Sequence, residues 1–142
     1  MKTYFILFFI LSQSLIAVSQ CTCIHVTVHN IRNNDGIVRY SLYGEKNKYA
    51  DYEDTYLIGT AKVKKGSINF SICDIPDGIY GLCLLHDEDN NGDMTYNGIG
   101  FPLEGYGFSN DAKVYLSPPK FKAAKFEKKG NTSIRVKMRY ML

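Results

Sequence analysis

Long apolar segments and long helical patterns are both missing from most of this chain of 142 residues. After residue 20, no apolar run approaches the ~20 residues that a transmembrane helix requires. The sequence also contains no internal repeat and no low-complexity linker. These absences argue against a later transmembrane helix, against a parallel α/β fold with crossover helices, and against a second domain.

Charge of one sign is not in marked excess, since the formal net charge is +3 at pH 7. That value implies no particular partner. Arg135, Lys137 and Arg139 form a basic stripe on the predicted last strand, which a solvated face or a protected sheet edge explains. No nucleic-acid-binding motif is present, so we expect no nucleic acid partner.

The first 20 residues have the layout of a secretory signal peptide. Lys2 precedes an unbroken apolar run at residues 5–11, and residues 17–19 (Ala-Val-Ser) place small residues where signal peptidase cleaves. We therefore predict residues 1–19 as a cleaved signal peptide and residues 20–142 as the mature domain. The expected location is secreted or periplasmic, in the cell envelope.

Four cysteines lie in the predicted mature domain: Cys21, Cys23, Cys73 and Cys83. A lipid anchor on Cys21 is the less favoured alternative, because Gln20 stands where lipoprotein signals place a small residue. Export permits disulfides, and four cysteines allow three complete pairings. A Cys21–Cys23 bridge would close a very small ring. The sequence leaves open both the pairing and whether any disulfide forms.

Alternation of apolar and polar residues is the repeated signal in the predicted mature domain, and it is typical of half-buried strands. About seven strands are predicted, at residues 24–28, 38–42, 57–63, 68–72, 79–86, 113–116 and 134–140. The strand at residues 79–86 is the most apolar and is predicted to be central. These features predict an all-β fold, a single antiparallel β-sandwich.

The segments between the predicted strands differ in character. Residues 45–56 are polar and are predicted as a long loop or a short helical turn. Residues 98–110 are predicted as a Gly-rich loop, and residues 121–126 as a turn of helix.

An acidic segment directly after the predicted central strand is the clearest chemical signal in the chain. Oxygen-bearing side chains recur at alternate positions, with a glycine that permits a sharp turn: Asp87, Asp89, Asn91, Gly92 and Asp93. Calcium takes about six to eight oxygen ligands, and a curling loop with this spacing points several of them inward. The segment matches the opening D-x-[DN]-x-[DN]-G of a calcium loop.

The rest of the calcium-loop pattern is missing. Its final position falls on Gly98 where a bidentate Glu is expected, and no helices flank the segment, so it is not an EF-hand. The alternative is an exposed acidic turn, but closely spaced carboxylates repel one another without a cation. With Glu104 as the remaining carboxylate, we predict a structural calcium ion that orders the loop. Its predicted ligands are Asp87, Asp89, Asn91, Asp93 and Glu104.

Glycines alternate with aromatic residues within residues 98–110. The segment lacks the Gly-Lys-Ser/Thr ending of a phosphate loop. The plainer interpretation is a loop folded back and anchored by its aromatic side chains. In the functional interpretation, Tyr106 and Phe108 bind a ligand, since loops carry function more often than strands do.

His86 beside Asp87 resembles a general base with its orienting carboxylate, which makes a hydrolase the enzymatic alternative. Neighbours on a strand point to opposite faces, however, and Ser109 is only a guess as nucleophile. His25 and His29 lie ~13 Å apart on one strand, too far to hold one ion. No catalytic residue is assigned, and a non-enzymatic role is favoured.

The corner at residues 75–80, the acidic segment at residues 86–92 and the Gly-rich segment at residues 98–110 follow one another along the chain. A Pro-x-Phe-x-x-Ala-x-Phe segment comes later, at residues 119–126. Together they resemble the uncharacterised bacterial family named domain of unknown function 2141. The resemblance covers most of the predicted mature domain.

This resemblance implies an exported protein with no established activity. The corner is also similar to that of transthyretin-like sandwiches, in which a Tyr hydroxyl ties the corner; an immunoglobulin-like sandwich is the related possibility. We therefore expect an accessory or binding module of unknown ligand, with a calcium-ordered loop. The alternatives are a hydrolase using His86 and Asp87, and an extracellular carbohydrate or peptide binder using the aromatic Gly-rich segment.

Overall fold

The computed structural model describes residues 21–115 and 117–141, so the predicted signal peptide lies outside the described residues. Within them the fold is all-β. The eight strands of this part of the chain are β1 (Cys23–Ile31), β2 (Ile37–Gly44), β3 (Leu57–Lys62), β4 (Gly66–Cys73), β5 (Gly78–Asp87), β6 (Gly105–Phe108), β7 (Phe126–Lys128) and β8 (Thr132–Lys137). Helical structure is limited to α1 (Phe121–Ala124) and to 3-10 turns at Tyr52–Asp54 and Ser109–Asp111. No described helix has the length and apolar character needed to cross a membrane.

The strands form two open sheets that pack on each other. The smaller sheet has the order β4-β1-β8, and the larger has the order β3-β2-β5-β6. β7 pairs with the first residues of β5, on the same edge as β6. The predicted β-sandwich is thus confirmed, with β5 in the centre of the larger sheet as expected.

Pairing within the sheets is antiparallel with one exception. β1 and β8 run parallel, with Ile24 opposite Thr132 and His29 opposite Lys137. Most of the chain lies between these two strands, so no hairpin sets their relative direction. The sequence predicted a wholly antiparallel sandwich, and this pair departs from it.

The core lies between the sheets and follows the alternation that predicts the strands. In β1, Ile24, Val26 and Val28 are at most 1% exposed. They belong to one apolar cluster with Leu82 and Leu84 of β5. Full burial of one such side chain stabilises the fold by ~1.5–3 kcal/mol. A shift of the β1 register by one residue would turn all three side chains to the solvent face, so it is strongly disfavoured.

Tyr80 fixes the corner between β4 and β5. Its hydroxyl donates a hydrogen bond to the Pro76 carbonyl oxygen at 3.1 Å, which is the contact that the sandwich resemblance implied. Lys128 closes the same corner with a fully buried side chain. Its Nζ donates to Asp77 Oδ1 at 2.9 Å and to Thr22 Oγ1 at 2.6 Å. Through the bond to Thr22, the corner is also connected to the residue that precedes β1.

The cysteine pairing left open by the sequence is resolved. Cys23 of β1 and Cys73 of β4 lie opposite each other in the ladder and form a disulfide. Cys21 and Cys83 are free thiols. The disulfide joins two strands that already pair in the smaller sheet.

Three of the differences between the predicted and the observed elements are as follows. Gly105–Phe108 is a strand where a loop was predicted. Residues 113–115 lie outside the strands, although a strand was predicted at residues 113–116. The prolines at residues 118–119 have no N–H group to donate to a neighbouring strand, so the segment does not continue as a strand. The last strand ends at Lys137 rather than at residue 140.

Candidate functional site

Asp87 ends β5 with its side chain on the outer face of the larger sheet. Alternation along the strand sends His86 towards the core and Asp87 to the opposite face. There Arg39 Nε donates a hydrogen bond to Asp87 Oδ2 at 2.5 Å. The backbone N–H groups of Asn91 and Gly92 donate to the same carboxylate, each at 3.1 Å. Asp87 is fully buried, and these donors replace the water that it has lost.

The contacts also decide the charge of Asp87. Burial alone would raise the pKa of its carboxyl group. The hydrogen bond from Arg39 and those from the Gly92 and Asn91 N–H groups outweigh burial, and hold the pKa below its ordinary value of 3.8. Asp87 is therefore a carboxylate at neutral pH, which is the form that a cation requires.

Three of the five predicted calcium ligands converge. One carboxylate oxygen from each of Asp87, Asp89 and Glu104 lies within 4.8 Å of the other two. Calcium–oxygen distances of ~2.3–2.6 Å make this separation compatible with one shared ion. Asn91 lies beside the group, because its Nδ2 donates to Asp89 Oδ2 at 2.9 Å. Asp93 is exposed and does not belong to the three.

Glu104 joins the two ends of the long loop between β5 and β6. Glu104 is only 3% exposed. Oε1 accepts a hydrogen bond from the Glu88 N–H at 2.7 Å, and Oε2 accepts one from the Thr95 N–H at 3.0 Å. These bonds bring Glu104 to Asp87 although many residues separate them along the chain.

A second ion pair lies next to this loop. Arg32 Nη2 is 2.6 Å from Glu88 Oε2 and also donates to the Leu103 carbonyl oxygen at 2.8 Å. The Arg32 hydrogen bond holds the pKa of Glu88 below its ordinary value, against the effect of burial. Sequence reasoning missed Arg32 and Arg39, because only the tertiary fold brings them to a loop that is distant in sequence.

The alternation of glycine and aromatic residues in β6 has a packing cause. A Cβ atom on Gly105 would lie 2.3 Å from the ring of Tyr140, so the inner face of β6 has no room for a side chain there. Gly107 occupies the same face. Tyr106 and Phe108 consequently point to the outer face, where their rings lie 6.2 Å apart.

Tyr106 and Phe108 line a surface groove of about 420 Å³ beside the Gly-rich loop. Its other walls are mostly apolar, and the following wall residues are exposed: Tyr96, Ile99, Phe101, Tyr115 and Met141. Exposed apolar side chains gathered at one place on a small domain are typical of a binding surface. The structure thus places both predicted ligand-binding residues in one groove.

A second cavity of about 230 Å³ continues the groove across the sheet. It shares Tyr106 and Phe108 with the first cavity and reaches Arg39 and Asp93. The groove therefore runs from an apolar end to an end with charged side chains. The acidic loop forms part of its wall at the charged end.

The residues of the hydrolase alternative are buried and hydrogen bonded. His86 is 0% exposed, with Nδ1 2.8 Å from the Tyr140 hydroxyl oxygen and Nε2 2.8 Å from the Asp35 carbonyl oxygen. Ser109 is equally buried, and its Oγ accepts from the Leu82 N–H at 2.9 Å. Strand pairing sets Ser109 several residues along β5 from His86, so the fold does not bring the two together.

Comparison with known proteins gives one family. The family model described as "Uncharacterized protein conserved in bacteria (DUF2141)" matches residues 26–135. No match was found among curated proteins or among solved structures.

Proposed function

We propose that this chain, which belongs to the bacterial family DUF2141, is an exported binding module of the cell envelope. Its ligand is an extended peptide with apolar side chains, held in the groove that Tyr106 and Phe108 line. The observation that supports this proposal is the cluster of exposed apolar side chains around these two rings. Grooves that combine apolar walls with a few polar groups are the usual form of ligand sites.

The lining favours a peptide over a carbohydrate. Hydroxyl groups transferred to an apolar wall without a partner cost roughly 1–3 kcal/mol each, and the larger cavity is mostly apolar. Apolar side chains of a peptide suit that end of the groove. At the other end, Arg39, Asp93 and Ser41 supply polar groups for a peptide backbone.

We expect Tyr106→Ala to weaken peptide binding at least about tenfold, because buried aromatic anchors dominate such interfaces. The measurement is an NMR titration of backbone amides with two pools of synthetic hexapeptides, one rich in Phe, Leu and Val and one in Ser, Asn and Gly. Only the apolar pool should shift the amides of Tyr106 and Phe108.

Ile58→Ala is the matched control for this titration. Ile58 is 51% exposed on β3 and lines neither of the two cavities that form the groove. Its loss should leave the dissociation constant unchanged. Amide shifts at Tyr106 with soluble cello- or chito-oligosaccharides, and none with either peptide pool, would reject the peptide ligand in favour of a carbohydrate.

We further propose that calcium orders the loop that borders the charged end of the groove. The convergence of Asp87, Asp89 and Glu104 supports this, together with Asn91 at their side. Hard oxygen ligands of this kind suit calcium. The bound ion would offset the mutual repulsion of the three carboxylates and make metal binding part of the folding free energy.

Calcium is expected to raise the melting temperature by several degrees relative to excess chelator. At free calcium 100 times the dissociation constant, one site adds about 2.7 kcal/mol to the free energy of unfolding. Differential scanning calorimetry measures the shift. Asp89→Ala should abolish it, while Glu127→Ala, an exposed carboxylate on β7, should not. Identical melting curves in calcium and chelator would make the segment an ordinary acidic turn.

A further inference from the structure

Three cysteines meet at one end of the smaller sheet. Cys23 and Cys73 form the disulfide, and Cys21, two positions before Cys23, is free and exposed. The sulfur atoms of all three lie within 4.8 Å of one another. A free thiol at this distance can approach a disulfide sulfur through a change of side-chain rotamer.

We propose that Cys21, Cys23 and Cys73 form a thiol–disulfide exchange centre. The Cys21 thiolate attacks Cys73 Sγ, a Cys21–Cys73 bond forms, and the Cys23–Cys73 bond breaks. Cys23 leaves as a thiolate and takes up the proton that Cys21 has lost. No electrons enter or leave the protein, so the step requires no oxidant or reductant. The domain then exists as two disulfide isomers, with the reactive thiol at either Cys21 or Cys23.

Attack on Cys73 is favoured over attack on Cys23. A Cys21–Cys23 disulfide would close a very small ring with poor geometry. The two isomers that share Cys73 close loops of nearly equal length, since the native disulfide already spans 50 positions. Loop entropy therefore favours neither isomer. The balance between them is set by the ladder position of Cys23 opposite Cys73.

The neighbouring contacts keep the three sulfurs together in either isomer. Thr22 Oγ1 accepts a hydrogen bond from the buried Lys128 Nζ at 2.6 Å. The Cys23 N–H donates to Asn131 Oδ1 at 2.9 Å. These bonds hold the Thr22 side chain and the Cys23 backbone in place at the start of β1.

The fourth cysteine differs from Cys21 and serves as an internal control. Burial raises the pKa of the Cys83 thiol to about 12. Thiolates are the reacting form, so Cys83 should stay unmodified by iodoacetamide in the folded protein.

The test is disulfide mapping of the exported, purified protein. Acid quenching followed by peptide mass spectrometry, with fragmentation across Thr22, should reveal a minor population with a Cys21–Cys73 bond and a free Cys23. In Cys21→Ser, only Cys23–Cys73 should be found. In Cys23→Ser incubated with oxidised glutathione, a Cys21–Cys73 bond should form. The double variant Cys21→Ser/Cys23→Ser should contain no disulfide.

Two results overturn the proposal. One is an acid-quenched wild-type protein that contains the Cys23–Cys73 bond alone. The other is an intact mass that shows lipid on Cys21, because a thioether at that sulfur cannot attack. The wild-type measurement needs no variant to fold, so a folding defect in Cys23→Ser would not obscure it.

Discussion

Asp87→Ala is expected to lower the free energy of unfolding by roughly 3 kcal/mol, measured in excess chelator so that no metal contributes. The substitution removes a fully buried carboxylate and leaves the Gly92 N–H group without an acceptor, while the Asn91 N–H keeps its bond to Asp89 Oδ1 at 3.0 Å. Arg39 also loses its partner, but its side chain is 32% exposed and water can solvate it. Because Arg39 is partly exposed, the expected loss in free energy of unfolding is at the low end of the range for a broken buried ion pair. Urea unfolding followed by circular dichroism measures it.

Matched variants separate the causes of this loss. Asp93→Ala removes an exposed carboxylate of the same loop and should change the free energy of unfolding by less than about 0.5 kcal/mol. Asp87→Asn keeps the size and one oxygen acceptor, so its loss should be smaller than that of Asp87→Ala. An Asp87→Ala protein as stable as the wild type would contradict the structural role given to this carboxylate.

Acid provides an independent check on the same residue. The folded-state pKa of Asp87 lies below 3.8, so its stabilising contribution is present above that pH and is lost as the pH falls through the folded-state value. The stability difference between the wild type and Asp87→Asn should therefore narrow below pH 3.8. A constant difference down to pH 2 would show that charge is not the cause.

Cys73→Ser is expected to lower the free energy of unfolding by about 4 kcal/mol, because a cross-link that spans 50 positions removes much entropy from the unfolded chain. A loss of this size is a large part of the stability of a small domain. Urea unfolding under oxidising conditions measures the change. The wild type in excess reductant should approach the same midpoint.

Cys21→Ser is the control for this substitution. It removes an exposed thiol and keeps the Cys23–Cys73 disulfide, so its unfolding midpoint should match that of the wild type. An unchanged midpoint in Cys73→Ser would mean that the disulfide does not constrain the unfolded state.

The fold was predictable wherever one face of a strand is buried and the other is not. β1 and β5 show this alternation, and both strands lie where the sequence placed them. Gly105–Phe108 escaped prediction because its inner-face residues are glycines, which carry no apolar signal. Their period of two was nevertheless present in the sequence. The parallel direction of β8 relative to β1 could not be predicted, because no local sequence pattern specifies the relative direction of two strands that are far apart in the chain.

The candidate site was only half predictable. Asp87, Asp89 and Glu104 could be chosen by their chemistry, and their carboxylates do meet in space. Arg39 could not be chosen, because an arginine within an alternating strand is ordinary. The groove around Tyr106 was likewise hidden, since its walls come from segments on both sides of β6.

The parallel pair of β1 and β8 bears on the order in which the chain can fold. Ribosomes release a chain from its N-terminus, so β1 emerges long before its partner β8. Ile24 must wait for Thr132 before the smaller sheet is complete. Contacts between such distant positions slow folding. Until then one edge of β1 is unpaired and open to other strands, so the partly synthesised chain is exposed to wrong strand pairing.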